Sequence, residues 1–304
     1  MLVRFDKSIF NCHGRWEPVE NGVKSHWTRP YIEFYCNADF KLCMDDGAGE
    51  YTVTVNGQET EAQNGVYKLT EKSLVRFTAD ETARTVTFKG IETDGNVKTA
   101  PSRDKHMLII GDSLTHSKFS HSVIIPKTWD WDYTCIAQGS MALCVDRGYM
   151  KVSDEHLPYK GMSKAFFMLQ NPGEPGEMTE YDFSTQEYPD MILLNIGTND
   201  HLTDESWVKG FAETYAEFVA KLHQLYPNVP TYLLLPSADT VDGSGWRRNT
   251  IEKCAKEAEA NYENMTYISS RDWDVEISSD KVHPTEAGYK TYAEELMKAI
   301  KNNR

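Results

Sequence analysis

Short stretches of alternating apolar and polar residues occupy the first third of the chain. Three of them have a period of two, which is typical of a strand with one buried face; they are Tyr31–Cys36, Phe40–Met44 and Tyr51–Val55. Asn56-Gly57 follows the third, and this dipeptide is a strong hairpin signal. Further short apolar runs lie at 66–69, 74–77 and 84–88. Short strands separated by Gly, Asn and Asp turns predict a small β-sandwich over residues 1–98.

The pattern changes after residue 98. The polar stretch Glu92–Lys105, which contains a glycine and a proline, predicts a linker. Beyond it, apolar strands alternate with helical patterns, the strands at 107–110, 191–196 and 232–235 and the helices at 208–225, 247–261 and 289–300. Strands that alternate with helices indicate βαβ units and a parallel sheet. We therefore predict an α/β domain over residues 99–304.

Composition narrows the class of protein. The net charge of −14 argues against nucleic acid or an anionic membrane as a partner and suits a neutral substrate. No apolar run approaches the roughly 20 residues of a membrane helix, and the N-terminal residues 1–7 lack the apolar core of a signal peptide. We expect a cytoplasmic protein, or a secreted one if a leader has been removed. The oligomeric state stays open.

The cysteines and histidines indicate neither a disulfide framework nor a metal site. Six cysteines lie at irregular spacing, and several fall in predicted strands. Buried thiols in a reducing compartment explain this better than disulfides do. No Cys/His spacing typical of zinc occurs. We expect no metal and no cofactor.

Ser113 is the first candidate for chemistry. Residues 107–115 read Met-Leu-Ile-Ile-Gly-Asp-Ser-Leu-Thr, an apolar strand that runs into a turn of small residues. A serine there stands clear of the core, where a base can activate its weakly nucleophilic hydroxyl. Asp112 beside it is interpreted as a structural turn residue. His116 and His121 follow closely and could offer a rival base or a metal site, but His116 would point along its helix, and we interpret it as a surface or wall residue.

Other polar residues follow later strands. Gly197-Thr198-Asn199-Asp200 comes after the strand at 191–196, and Asp280-Lys281-Val282-His283-Pro284 precedes the last helix. The carboxyl ends of parallel strands meet at one edge of a sheet, where ligands bind. His283 is suited to be the base, Asp280 to orient it, and Asn199 to donate to an oxyanion. Gly139 is the candidate for a backbone N–H donor, since it follows another short apolar strand.

The order of these blocks resembles the SGNH (GDSL) hydrolases. Gly-Asp-Ser-Leu, a later Gly, Gly-x-Asn-Asp and Asp-x-x-His-Pro match over residues 107 to about 300. The resemblance implies a flavodoxin-like three-layer fold and ester hydrolysis through an acyl-enzyme. It implies that Ser113 is the nucleophile, that Ser113, Gly139 and Asn199 form the oxyanion hole, and that His283 with Asp280 supplies the base.

A β-sandwich in front of such a domain, with the stretch His13-Gly14-Arg15-Trp16, resembles carbohydrate esterase family two. This implies a jelly-roll-like sandwich and removal of acetyl groups from polysaccharides such as xylan and mannan. Members of that family use either a triad or a Ser-His dyad, so the role of Asp280 stays open. A carbohydrate-binding protein that has lost turnover is the alternative, and a lipase, a thioesterase and a peptidoglycan O-acetylesterase compete within the enzyme class.

Candidates for substrate binding lie in the loops. Trp246 has a Gly-Ser-Gly setting that predicts an exposed loop, and His201 follows the Asn-Asp pair closely. Residues 141–190 form a long insertion with aromatic residues, including Phe166 and Phe167. Such rings either stack on sugars or pin the loop to the domain.

Overall fold

The computed structural model describes residues 1–45, 50–80, 85–144, 161–171, 178–200, 205–238 and 246–303, with only the backbone of Trp246. Antiparallel strands fill the first hundred residues. They are β1 (Leu2–Arg4), β2 (Asn11–His13), β3 (Trp16–Val19), β4 (Gly22–Ser25), β5 (Tyr31–Cys36), β6 (Phe40–Met44), β7 (Tyr51–Val55), β8 (Gln58–Glu59), β9 (Ser73–Ala79), β10 (Thr87–Thr93) and β11 (Val97–Thr99).

These strands form two sheets that enclose one apolar core. One sheet has the order β1-β10-β4-β3, with β6 also paired to β10. The other has the order β11-β5-β9-β7-β8, with β2 also paired to β5. Alternate residues of β9 are buried, as expected for a strand with one face toward a core. The core contains Phe10, Phe34, Phe77 and Phe88, so the predicted β-sandwich is confirmed.

The three alternating segments of the sequence match β5, β6 and β7 in their bounds. The predicted run at 66–69 contributes isolated bridges instead of a strand, one of them between Phe40 and Tyr67. The structure of Glu92–Lys105 departs further from the linker that the sequence predicted. It contains the end of β10 and all of β11, which pairs with β5, so the antiparallel part extends to Thr99.

A five-stranded parallel sheet forms the second part. Its strands are β12 (His106–Gly111), β13 (Asp132–Ala137), β14 (Met191–Asn195), β15 (Thr231–Leu234) and β16 (Met265–Ile268), in the order β13-β12-β14-β15-β16. This order is that of flavodoxin-like folds. The helices are α1 (Ser113–His116), α2 (His121–Trp129), α3 (Met162–Ala165), α4 (Glu205–Leu225), α5 (Trp246–Asn261) and α6 (Glu286–Asn302). None of the helices in the described part is long and apolar enough to cross a membrane.

Helices cover both faces of the parallel sheet, which explains why β12, β13, β14 and β15 are buried at every position. In β12, Leu108 and Ile110 belong to the core that also contains residues of α4 and α5. Met107 and Ile109 belong to the core that contains residues of α2 and α6. The result is the three-layer α/β architecture that the resemblance to the SGNH hydrolases implied, built on the parallel sheet that the sequence pattern predicted.

Strand β5 joins the sandwich to the α/β part. Ile32 and Phe34 point into the sandwich core, whereas Tyr31 packs in the core under α2 and α6. The Tyr31 hydroxyl donates to Asp132 at 2.7 Å, and Arg103 bonds both Asp132 and Glu33 at 2.7–2.8 Å. The buried carboxylates of Glu33 and Asp132 between the two parts are thus paired, as buried charges must be.

The sequence predicted buried free thiols rather than a disulfide framework. All six cysteines lie among the described residues and are free, and Cys36, Cys135, Cys144 and Cys254 are buried.

Candidate active site

Ser113 lies at the carboxyl end of β12. Gly111 ends this strand, and a side chain there would overlap Thr115 and the carbonyl oxygen of Asn195, so the tight turn needs a glycine. The Asp112 carboxylate accepts from the backbone N–H of Leu114 at 3.0 Å and caps α1. Asp112 therefore has the structural role that the sequence indicated. Its burial raises its pKa to about 6.

The structure brings His283 to Ser113 from the far end of the chain. His283 Nε2 lies 2.8 Å from Ser113 Oγ, and His283 Nδ1 lies 2.7 Å from Asp280 Oδ2. A hydroxyl, an imidazole and a carboxylate in a row can move a proton off the serine while the carboxylate fixes the tautomer. The imidazole is 38% exposed, so this chain of bonds lies at the rim and is open to a substrate.

The loop between Ile277 and Pro284 holds the imidazole in place. Ser278 N–H donates to the carbonyl of His283 at 2.7 Å and closes the loop. Lys281 has a φ of 62°, in the left-handed region, and this turns the chain back. Asp280 Oδ1 accepts from the hydroxyl of Ser278 and from the backbone N–H groups of Val282 and His283, all at 2.8–2.9 Å.

Asp280 is held in its ionised form. Desolvation acts to raise its pKa, but the bonds from the His283 ring and from the backbone N–H groups outweigh it and hold the pKa well below its usual range. A carboxylate with this environment stays negative while the imidazole gains and loses a proton.

Asn199 and Asp200 follow β14 at the same edge. Gly197 between them and the strand has a φ of +115°, which favours glycine. The Asn199 amide donates to the carbonyl of Met141 at 3.0 Å. The buried Asp200 carboxylate accepts from the N–H groups of Leu143 and Cys144 at 2.8 and 2.9 Å. Burial raises the Asp200 pKa to about 6, although these two bonds act to lower it.

Sequence reasoning missed this role of Asp200. The sequence feature that could have revealed this role is the position of an acidic residue directly after the candidate amide Asn199, beyond the end of a buried strand. The contact joins the segment after β14 to the segment after β13, which holds Gly139.

Gly139 lies two residues beyond the end of β13, the neighbour of β12 in the sheet. A side chain at this glycine would meet no atom within 4 Å, so packing does not require glycine there. Its assignment as an N–H donor stays a prediction.

The sandwich reaches this edge as well. The Thr28 hydroxyl donates to the carbonyl of Ala137, two residues before Gly139, at 2.6 Å. The Arg29 guanidinium donates to the carbonyl of His116, three residues after Ser113. The β4–β5 connection thus contacts the segments on both sides of the candidate site, a relationship that no local sequence pattern indicated.

Other candidates lie elsewhere. His121 is buried against the ring of Tyr292 at 5.5 Å, and burial lowers its pKa to about 3. Phe166 is fully buried, and Phe167 packs against the same core, so these rings pin their segment to the domain. His201 and the side chain of Trp246, the two candidates for substrate binding, lie outside the described residues.

Arg15, from the His-Gly-Arg-Trp stretch, inserts into the α/β part. It is 1% exposed and donates to the carbonyls of Phe166 and Met168 at 2.5 and 2.9 Å. Its guanidinium lies 4.1 Å from the ring centroid of Tyr181. Burial lowers its pKa to about 10. This stretch therefore fastens the sandwich to the segment at 161–171.

The comparisons with known proteins agree with this geometry. A profile described as the GDSL-like Lipase/Acylhydrolase family matches residues 109–291. Comparison with curated proteins gives no match.

Solved structures share the fold over nearly their whole length. A family two carbohydrate esterase from Clostridium thermocellum in complex with cellohexaose has a TM-score of 0.77 at 19% identity, covering 97% of this chain and 98% of that one. A carbohydrate esterase family 2 enzyme with a carbohydrate binding domain from Corynascus thermopiles (Myceliophthora fergusii) has a TM-score of 0.77 at 19% identity. The match covers 96% of this chain and 98% of that one. An acetyl xylan esterase from the rumen bacterium Butyrivibrio proteoclasticus has a TM-score of 0.76 at 15% identity. The match covers 100% of this chain and 98% of that one.

Fold and site together define an α/β ester hydrolase with an N-terminal β-sandwich. The chain belongs to the GDSL-like lipase/acylhydrolase family, whose match spans more than half of it. Its two-part architecture is that of the family two carbohydrate esterases.

Proposed function

We propose that this protein is a serine esterase that removes O-acetyl groups from carbohydrate, with acetylated xylan- or mannan-derived oligosaccharides as substrates. The observation that carries the reaction type is the 2.8 Å contact between Ser113 Oγ and His283 Nε2, with Asp280 behind the ring. The substrate class is supported by the shared fold, because one similar structure is an acetyl xylan esterase.

The proposed reaction begins at Ser113. Its Oγ attacks the acetyl carbonyl carbon while His283 Nε2 takes the hydroxyl proton. The tetrahedral intermediate carries its negative charge on the former carbonyl oxygen. The Asn199 amide and the backbone N–H groups of Ser113 and Gly139 are the donors that we assign to it.

Collapse of the intermediate breaks the bond to the sugar oxygen. The imidazolium returns its proton to that oxygen, so the sugar leaves as an alcohol and acetyl stays on Ser113. Water then attacks the acyl-enzyme and gives its proton to His283. A second collapse releases acetate and restores the serine.

A substitution of the nucleophile tests the reaction type. We expect Ser113→Ala to lower kcat for 4-nitrophenyl acetate by about 10⁴ to 10⁶. Ser184→Ala, at an exposed serine in the short helix at 183–185, is the control and should keep the wild-type rate. Equal rates for wild type and Ser113→Ala would reject a serine mechanism.

A second measurement tests the substrate. Acetylated xylo- and manno-oligosaccharides are incubated with wild type and Ser113→Ala, and mass spectrometry follows the loss of acetyl groups. We expect the oligosaccharides to lose acetyl groups with the wild-type protein and not with Ser113→Ala. Hydrolysis of long-chain 4-nitrophenyl esters without sugar deacetylation would support a lipase instead.

Carbohydrate binding without turnover is the second candidate. It is favoured by one similar structure, which holds the unacetylated ligand cellohexaose. Calorimetry with cellohexaose on wild type and Ser113→Ala separates the two functions. Binding by both proteins together with no deacetylation by either would support the binding function.

A further inference from the structure

Two buried histidines and a glutamate meet at the opposite edge of the parallel sheet. His13 ends β2 of the sandwich, and His106 begins β12. Glu187 comes from the segment before β14. The two imidazoles are each 2% exposed, whereas the Glu187 side chain is 40% exposed. Three distant segments thus place nitrogen and oxygen ligands together, with one side toward solvent.

The distances match those of a tetrahedral metal site. His106 Nδ1 lies 2.9 Å and His13 Nδ1 lies 3.4 Å from Glu187 Oε2. One ligand atom from each residue lies within 4.8 Å of the others. Zinc bonds of about 2.0–2.1 Å in tetrahedral geometry place neighbouring ligand atoms roughly 3.3 Å apart. The two distances to Glu187 Oε2 therefore already fit ligands of one ion.

Both rings turn the same nitrogen toward Glu187. The two Nδ1 atoms are buried and lie 2.9 and 3.4 Å from Glu187 Oε2. The two nitrogens therefore converge on one carboxylate oxygen, a space that either a shared proton or a cation would fill. A cation in that space would be bound by two lone pairs and one carboxylate.

The far side of the His106 ring has a partner of the kind that metal-bound histidines use. His106 Nε2 lies 3.0 Å from the Thr134 hydroxyl, whereas His13 Nε2 lies 3.6 Å from the Asp132 carboxylate without a hydrogen bond. An N–H directed from His106 Nε2 toward the hydroxyl leaves the lone pair on His106 Nδ1. Such an outer contact orients the ring and raises its basicity toward a metal.

We propose that His13, His106 and Glu187 form a Zn²⁺ site that fastens the sandwich to the parallel sheet. Two imidazoles and one carboxylate are a ligand set suited to zinc, and the open side leaves room for a water as fourth ligand. Sequence spacing did not reveal the site because the ligands come from segments far apart in the chain.

The ion has a structural role. His106 and Gly111 are at opposite ends of β12, about 17 Å apart at the rise of a parallel strand. Ser113 lies beyond Gly111, so the ion cannot touch the reacting atoms. The site is independent of the proposed esterase reaction, and either one can fail without the other.

Zinc binding is measured on the full-length, untagged protein. The protein is treated with chelator, given ZnCl₂ and passed through gel filtration, and retained zinc is counted by mass spectrometry. Glu187→Gln keeps the size of the side chain and weakens the ligand. Glu17→Gln is the matched control, because Glu17 also contacts a buried imidazole, that of His26 at 2.8 Å, outside the cluster.

We expect about one zinc per chain for wild type and Glu17→Gln, and a loss of most of it in Glu187→Gln. Zinc should raise Tm of the first two by about 3–6 °C relative to chelator, since it binds the folded state. The Tm of Glu187→Gln should not change with zinc. Its kcat with 4-nitrophenyl acetate should stay within about twofold of wild type.

Four results would overturn the proposal. If the wild-type protein retains no zinc and its Tm does not shift with zinc, the proposal is wrong, whatever the variants show. Equal uptake by Glu187→Gln would place the ion elsewhere. A thiolate-to-metal absorption band with Co²⁺ would assign binding to the cysteines. A Tm that responds to pH but not to zinc would mean that a proton bridges these groups.

Discussion

The side-chain amide of Asn199 donates a hydrogen bond to the carbonyl oxygen of Met141, with 3.0 Å between the atoms. An amide nitrogen carries two N–H groups, so this bond fixes the direction of the second one. It also joins the segment after β14 to the segment that follows Gly139. The donors that we assign to the oxyanion are therefore held relative to one another before substrate arrives, as electrostatic stabilisation requires.

Asn199→Ala should lower kcat by about 10² to 10³ with a smaller change in KM, because an oxyanion donor acts mainly in the transition state. Steady-state kinetics with 4-nitrophenyl acetate measure both constants. Asn303→Ala is the matched control, since that amide also donates to a backbone carbonyl, at the end of α6. An effect on KM alone would contradict the proposed role.

Asp280→Asn should cost less activity than His283→Ala. The asparagine oxygen can keep the backbone N–H bonds, but its NH₂ group would face His283 Nδ1 and favour the tautomer that cannot accept the serine proton. We expect a loss of about 10² to 10⁴ in kcat, against about 10⁴ to 10⁶ for His283→Ala. Asp272→Asn, at a nearby exposed acid, is the control. Asp280→Asn with wild-type activity would indicate a Ser-His dyad.

Asp200→Asn should weaken both folding and activity. One of its two oxygens becomes a donor, so an N–H of Leu143 or Cys144 loses its acceptor, at a cost of about 1–3 kcal/mol in the free energy of unfolding. The 141–144 segment should then move and carry the Asn199 amide away from its position beside the oxyanion. This displacement should lower kcat. Urea unfolding and kinetics measure the two effects. Asp182→Asn, an exposed carboxylate that accepts from Ser184 N–H, is the control.

The same substitution should change how stability depends on pH. The pKa of Asp200 is raised from 3.8 to about 6 by burial, so the folded state binds this proton more tightly than the unfolded state. Its contribution to stability is full below about pH 4 and is lost as pH rises through 6. The unfolding free energy of wild type relative to Asp200→Asn should therefore decrease between these values. An increase over that range would contradict the assigned shift.

Arg15→Lys should destabilise the protein despite the conserved charge. A lysine ammonium lacks the planar guanidinium that stacks on Tyr181 while its Nη1 donates to both carbonyls. We expect a loss of about 2 kcal/mol in the free energy of unfolding. Arg4→Lys, at an exposed arginine, is the control. Unchanged stability of Arg15→Lys would show that the planar guanidinium adds nothing beyond charge.

The sequence by itself determined the elements and the reaction class. Period-two alternation marked β5, β6 and β7 because one face of each strand packs in a core. The continuous apolar run at 107–110 indicated a buried strand, as expected where both faces of a sheet are covered. Asp280 and His283 were identified together because they lie three residues apart in one loop, where local geometry is sufficient. The run at 66–69 was predicted as a strand but forms only isolated bridges, and the strand at 97–99 was missed because a short strand carries few residues of signal.

Only the tertiary structure decided which distant groups meet. The Ser113–His283 contact, the bonds from Asp200 to the 141–144 segment and the insertion of Arg15 join segments far apart in the chain. The same holds for the cluster of His13, His106 and Glu187. Periodicity and turn residues report the conformation of neighbouring residues, whereas these contacts depend on how the sheets pack and where the loops close. The chain's local patterns therefore specified its strands and helices, and the packing of those elements placed the chemistry.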